Sequence, residues 1–352
     1  MKAARDVAII SFAQLPPVPR DVTRDEAELV QPVVTEALRN AGITRSQVGF
    51  TVSGSCDYLI GRPFSFVSAL DGVAPWPPIA ESHVEMDGAW ALYEAWVRLQ
   101  HGDLDSALVY SFGKSSLGDL PVVLSQQLDP YYQAPLWPDS VSVAALQARA
   151  WLDAGHDEGE MAAVAARSRR FAQDNQWAQN YGDESVDALL TEPYVVSPLR
   201  KHDIPPISDG AVAMVLAVGD RARDVSDNPI WIRGLEHRIE AHGLGVRDLA
   251  HSPSTQLAGE KAGVNGVDVA ELHAPFSHQE PILAEALGLS NGVSVNLSGG
   301  ALTTNVVMAA GLTRIGEAAH LIATGDANRA VAHATSGPAL QHNLVCVLEG
   351  DA

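Results

Sequence analysis

Glu271-Leu272-His273-Ala274-Pro275-Phe276-Ser277-His278 follows a compact apolar run, Val269 to Leu272, and precedes a helix-like run from Glu280 to Leu289. A strand that ends in His, Pro and Ser just before a helix sets those side chains at the carboxyl edge of a sheet, where layered α/β proteins bind ligands. Taken alone it is one His in a turn, and such a His is more often a cap or a packing residue. What makes the stretch informative is that it has a counterpart in the first half of the chain.

Ala262-Gly263-Val264 followed by Asp268-Val269 has the spacing of Ala41-Gly42-Ile43 followed by Gln47-Val48. Val269 to Leu272 thus answers Val48 to Thr51, and His273 falls opposite Val52. Ile230 to Gly234 answers the opening strand Val7 to Ile10, and Val293 to Asn296 begins a further strand. Gly299-Gly300 opens a helix running to Ile315, and Gly316 with a strand over Ala319 to Ala323 answers Gly102 with Leu104 to Phe112. Leu344 to Leu348 closes the chain as Met214 to Val218 closes the first half. A repeat of half the chain is an architecture signal that precedes any motif. It predicts two similar α/β halves, 1–225 and 226–352, facing each other with the site at their junction.

The first half also carries an expected helix over Asp21 to Ala41, with apolar residues at helical spacing and Gly42 as its left-handed cap. Asp119 to Asn180 breaks the alternation with a Pro- and Tyr-rich opening, Pro130-Tyr131-Tyr132, and two helical runs, 141–154 and 159–173. An inserted loop region of about 119–200 follows from this, with residues 119–180 lying over the junction.

Composition narrows the function classes. Apolar residues make up 46% of the 352 and charged ones 19%, the profile of a packed globular chain. A formal charge of -20 argues against a general basic surface for nucleic acid, so an anionic ligand needs a local basic cluster. No apolar run is long enough to span a bilayer, and the amino terminus shows no signal-peptide layout. Two cysteines, Cys56 and Cys346, make neither a disulfide framework nor a zinc site by themselves, and no metal is expected. The simplest expectation is a reduced, cytoplasmic protein.

Three segments carry a resemblance. Ser197-Pro198-Leu199-Arg200-Lys201 with Ser208-Asp209-Gly210-Ala211, Asp268 to His273 with Phe276-Ser277, Glu280 and Glu285 to Leu289, and Ala339 to Asn343 together resemble motifs of the thiolase superfamily. Within it they are similar to sterol carrier protein x type thiolases and related lipid-transfer proteins. The resemblance spans nearly the whole chain. It implies the α/β thiolase fold, with two βαβαβαββ halves in five αβαβα layers, a dimer as the minimum unit, and coenzyme A as part of the substrate with no covalently bound cofactor.

The departures shape the expected chemistry. Aligning Gly88, Ala91 and Leu92 with the nucleophile motif puts Glu85 where a thiolase has its Cys, and a carboxylate is a far poorer acyl acceptor. The Gly-His-Pro motif becomes Thr304-Asn305-Val306-Val307, so the catalytic His becomes Val306 or a neighbour. Gln341-His342-Asn343 lacks the glycine run that normally follows it. Some Cys-less members of the superfamily are retro-aldol lyases for β-hydroxyacyl-CoA esters of steroid side chains, and they work with a small zinc-ribbon/OB-fold partner. The resemblance to that branch implies an aldolase-type carbon–carbon lyase subunit in lipid or steroid degradation, working as a homo- or heterodimer with a thiolase-like chain. The alternative is a catalytically degenerate subunit that binds acyl-CoA or supports an active partner.

A retro-aldol step needs a base for the hydroxyl proton and a donor for the enolate oxygen. The resemblance makes His273, whose family counterpart points at the thioester oxygen, the candidate for the oxyanion donor, and His342, placed by its motif near the same point, the candidate proton carrier. Branch members are thought to use C-terminal tyrosines, and since the last tyrosine here is Tyr194, either histidines do that work or the subunit is the degenerate one. Glu85 reads as a base in the vacated pocket or as a cap of the helix beginning near Ala89. Asp57 and Tyr58, the backbone at Ser298-Gly299-Gly300, and Asn305 are candidate substrate contacts. Arg167 and Arg170, clustered with Arg169, are candidate phosphate ligands. Cys56 reads as an inert thiol, His278 as a helix cap, and Tyr131, Tyr132, Trp137 and Trp151 as either pocket lining or packing.

Overall fold

The computed structural model describes residues 5–351; the terminal residues 1–4, part of the stretch read above for a leader, and 352 lie outside the described residues. The first half runs β1 (Val7–Gln14), α1 (Glu26–Asn40), β2 (Phe50–Gly54), α2 (Asp57–Ile60), α3 (Ser65–Val73), β3 (Glu81–Val84), α4 (Gly88–Gln100) and β4 (Ser106–Gly113). A helical excursion follows: α5 (Leu120–Gln126), α6 (Ser140–Asp153), α7 (Glu158–Phe171) and α8 (Val186–Leu190). A small hairpin, β5 (Tyr194–Val196) and β6 (Leu199–Arg200), leads to β7 (Gly210–Val218) and α9 (Gly219–Val225). The second half runs β8 (Ile230–Ile239), α10 (Pro253–Ala262), β9 (Val269–Leu272), α11 (Gln279–Ala286), β10 (Ser294–Val295), α12 (Ala310–Ala323), β11 (Arg329–Ser336) and β12 (His342–Glu349).

Strand order repeats. One array reads β3-β2-β4-β7-β1 and the other β10-β9-β11-β12-β8, so each runs third, second, fourth, fifth, first. The senses match as well: the inner strands β2 and β9 are parallel to both neighbours, and every later pairing is antiparallel. The arrays meet where β1 and β8 pair at Ala8–Trp231 and Ile9–Ile230.

Side-chain alternation along the strands separates the layers. In β12, Leu344, Cys346 and Leu348 face a central core with α4 and α12, while Val345 and Val347 face a second core with α10, α11 and α6. In β4, Val109 faces the central core, while Leu108 and Tyr110 face a third with α1 and α3. Helices α1/α3, the first sheet, helices α4/α12, the second sheet and helices α10/α11 therefore make five layers. This is the thiolase fold. Among the described residues no helix is long and apolar enough to cross a membrane.

Three sequence expectations change here. Residues 299–309 are turns, and the helix opens at Ala310 and runs to Ala323, so the expected strand over Ala319 to Ala323 is its last turn. The apolar run there packs as a helix face into the central core, and the fourth strand is Arg329–Ser336. Gly316 does not end a helix: Gly325, with φ +83°, follows the true end. Gly316 instead lets α12 lie on Phe12 of β1, where an added Cβ would collide with the ring. Finally, Val48 lies before β2, so the counterpart of His273 is Gly54 rather than Val52.

Gly316→Ala tests that contact. Helix propensity alone favours Ala by about 1 kcal/mol, whereas overpacking costs about 1–3 kcal/mol. A net loss of up to roughly 2 kcal/mol in urea unfolding is expected; a gain would mean that the ring moves aside freely.

Candidate functional site

His273 leaves β9 with its backbone N–H on the His333 carbonyl at 3.1 Å, the last rung of the pairing with β11. Ala270 and Leu272 face the outer core, so His273, one residue on, points toward the end of the central helix layer. It is buried and lines a cavity of about 400 Å³ together with Asp87, Asn305, Met308 and Thr335. Leu120, Leu124 and Leu128, Val141 and Ala144 of α6, Ile204-Pro205-Pro206-Ile207 and Pro338-Ala339-Leu340 form apolar walls. The helical excursion thus covers the junction of the halves.

Backbone geometry sets the His273 tautomer. The Thr335 N–H donates to Nδ1 at 3.3 Å, so Nε2 carries the proton and points to Asn305 Oδ1 at 3.4 Å. Burial, reinforced by His333 and Arg314, pushes its pKa down to about 3. The ring is a neutral N–H donor throughout the physiological range. The Asn305 backbone N–H is held by Ser208 Oγ at 3.0 Å, within the Ser208-Asp209 motif. Val306, the expected position of the lost catalytic His, sits in the central core, and its neighbour Asn305 faces the cavity.

Asp87 is the residue the sequence reading passed over. It is buried and accepts N–H bonds from Ala89 at 2.8 Å, Gly311 at 2.9 Å and Leu312 at 3.1 Å. One carboxylate thereby caps α4 from the first half and α12 from the second. Burial raises its pKa against the pull of the three N–H groups. The signal was present as an Asp directly before Gly88-Ala89, the usual N-cap signature.

Strained backbone frames the cavity. Met308, Ala339 and Leu340 have φ of 78°, 51° and 58° without being glycine. The Met308 carbonyl accepts the Gly88 N–H at 2.8 Å, and Arg247 donates to the carbonyls of Pro338, at 3.0 Å, and Ala339.

Other sequence candidates lie elsewhere. Glu85 is half-exposed, accepts the Asp57 N–H at 2.8 Å and pairs with His83 at 3.1 Å. It is neither in the cavity nor the cap of α4. Asp57 clamps its own loop through the Ser65 hydroxyl and the Ser65 and Phe64 N–H groups; against burial, these bonds and then His83 lower its pKa. Tyr58 is exposed. His342 lies outside the cavity lining with its ring edge on Trp90 at 6.5 Å, and its pKa is lowered by burial, then by His237, Arg247 and His242.

Ser298 serves Glu271, donating from N at 3.0 Å and from Oγ at 2.7 Å. Gly299 and Gly300, at φ +93° and +68°, supply turns in which a Cβ would strike Thr303 and Asn296. Arg167 pairs with buried Glu280, Arg169 with Glu184 and Arg170 with Asp183, so the expected phosphate cluster is engaged by carboxylates. His278 is fully buried with no capping bond. Cys56 is buried with its pKa raised by that burial, Trp151 packs on His156, and Tyr131, Tyr132 and Trp137 face outward.

No family model matches the sequence. The chain is 25% identical over 299 residues to acetyl-CoA acetyltransferase of Methanocaldococcus jannaschii, covering 81% of this chain and 76% of the relative. It is 24% identical over 292 residues to sterol carrier protein 2 of Bos taurus, covering 76% and 53% respectively. In fold and in sequence the chain resembles proteins of the thiolase superfamily. Among solved structures, the "Ltp2-ChsH2(DUF35) aldolase" superposes with a TM-score of 0.81 over 98% of both chains at 19% identity, a likeness of fold.

Proposed function

We propose that this chain is a thiolase-like acyl-CoA lyase subunit that cleaves the Cα–Cβ bond of a β-hydroxyacyl thioester by a retro-aldol step, without an acyl-enzyme. The observation that carries the reading is the His273 tautomer: a neutral Nε2–H, held by Asn305 Oδ1 at 3.4 Å, on the wall of a largely apolar cavity whose lining holds no cysteine. Such a donor stabilises an enolate oxygen and asks nothing of a nucleophile, and one oxyanion donor is worth about 10²–10³ in rate. The cavity volume and walls suit a bulky hydrocarbon acyl group such as a steroid side chain. The aldolase of like fold is a complex of Ltp2 with ChsH2(DUF35), and a small zinc-ribbon/OB-fold partner, together with a thiolase-like second subunit, completes the proposed assembly.

The degenerate-subunit reading draws on two observations: His342 lies outside the cavity, and no tyrosine follows Tyr194. Release of a ketone or aldehyde from a bulky β-hydroxyacyl-CoA by the chain with its partner decides between the two. Thioester binding without cleavage would favour the degenerate subunit. For an active complex, His273→Ala should lower cleavage about 10²–10³-fold, whereas His342→Ala should change it less than about tenfold. Unchanged turnover in His273→Ala would end the oxyanion assignment.

A further inference from the structure

We infer that Asp87 is the catalytic base of this site: its carboxylate takes the β-hydroxyl proton and returns it to the α-carbon. The inference rests on the retro-aldol reading and adds the group that reading lacks. Three observations carry it. Asp87 faces the same cavity as His273 and Asn305, and it is the only Asp or Glu among the lining residues. Its two oxygens hold three backbone N–H groups, from Ala89, Gly311 and Leu312, so the carboxylate is fixed in place with lone-pair capacity left for a substrate hydroxyl. The N-termini of α4 and α12 both favour an anion at this point.

The chemistry balances without a co-reactant. The hydroxyl proton moves to Asp87 as the carbonyl of the leaving ketone or aldehyde forms and the Cα–Cβ bond breaks. That bond's electron pair becomes an enolate, whose oxygen accepts the His273 Nε2–H. The protonated Asp87 then delivers its proton to Cα, giving the shortened acyl thioester and the original carboxylate. Nothing is oxidised or reduced.

Asp87→Asn and Asp87→Ser each keep one oxygen that can accept the Ala89 N–H and cap α4, and both lack a base. In single-turnover cleavage of a bulky β-hydroxyacyl-CoA by the assembled protein, both should lose about 10²–10⁴-fold. Their affinity for the matching acyl-CoA without the hydroxyl should stay within about threefold, a change of roughly 0.7 kcal/mol or less. Folded variants that keep the wild-type rate overturn the inference and leave the retro-aldol reading standing. A wild-type assembly that cleaves nothing overturns both. Should neither variant fold, the wild-type pH profile decides: a rate falling toward acid supports a carboxylate base, and a rate flat from about pH 4 to 9 overturns it.

Discussion

His278→Gln should gain stability relative to the natural chain by about 1.4 kcal/mol for each pH unit of acidification below pH 6.5, and by roughly 3 kcal/mol at pH 4. The His278 ring is fully buried, its Nδ1 has no partner, and its Nε2 meets only Gln147 Oε1 at 3.3 Å. Burial pushes its pKa from 6.5 down to about 3. A depressed folded pKa gives stability that is intact above 6.5 and lost as pH falls toward 3, because the unfolded chain takes up a proton that the native chain refuses. Gln has no such proton, so the difference between the two chains grows on acidification. Urea titrations between pH 7 and 4.5 measure it. A difference constant with pH would mean that the native ring takes up its proton as readily as the unfolded one. His273 and His333, pushed down to about 3 and 4, act in the same sense, while buried Asp87, Asp203 and Glu271, pushed up, oppose them. The variant difference isolates one group from that background.

The second large effect belongs to Arg314→Met. Arg314 of α12 meets Glu271 of β9 at 2.8 Å, and both side chains are nearly inaccessible. Removing one member of a buried pair strands the other charge, at about 3–5 kcal/mol. Glu271→Gln combined with Arg314→Met removes both charges and should recover at least half of that loss. Calorimetric or urea unfolding of the single and double variants checks it; equal losses would show that packing rather than charge holds α12 to β9. Glu271 sits two residues before His273, so the pair also fixes where the strand delivers its imidazole.

Much of the fold was legible because strands buried on both faces and repeated turn spacing leave a strong pattern in sequence. The repeat led to two halves with identical strand order, and His273 and Asn305 reached the same cavity. Legibility failed where composition is ambiguous. Ala319 to Ala323 suits strand or helix equally, and only packing against the sheets decides. Glycines misled in the same way, since Gly316 serves a helix–strand contact and Gly325 the turn. Arg167 and Arg170 read as free cations because a carboxylate partner 113 residues away in sequence, or one across a loop, leaves no local mark. Asp87 was missed because its importance comes from α12, a helix more than 220 residues further on.

The left-handed residues at the cavity wall bear on how a ligand is chosen. Met308, Ala339 and Leu340 hold conformations that glycine adopts freely, and each such residue stores about 1–3 kcal/mol that surrounding contacts must hold down. Backbone kept in place against its own preference does not reshape itself around a guest. Arg247, gripping the carbonyls of Pro338 and Ala339, adds a clasp from behind. The chamber therefore behaves as a mould rather than a glove: a poorly fitting guest is turned away by steric refusal, and discrimination is expected in the rate of entry as much as in the strength of holding.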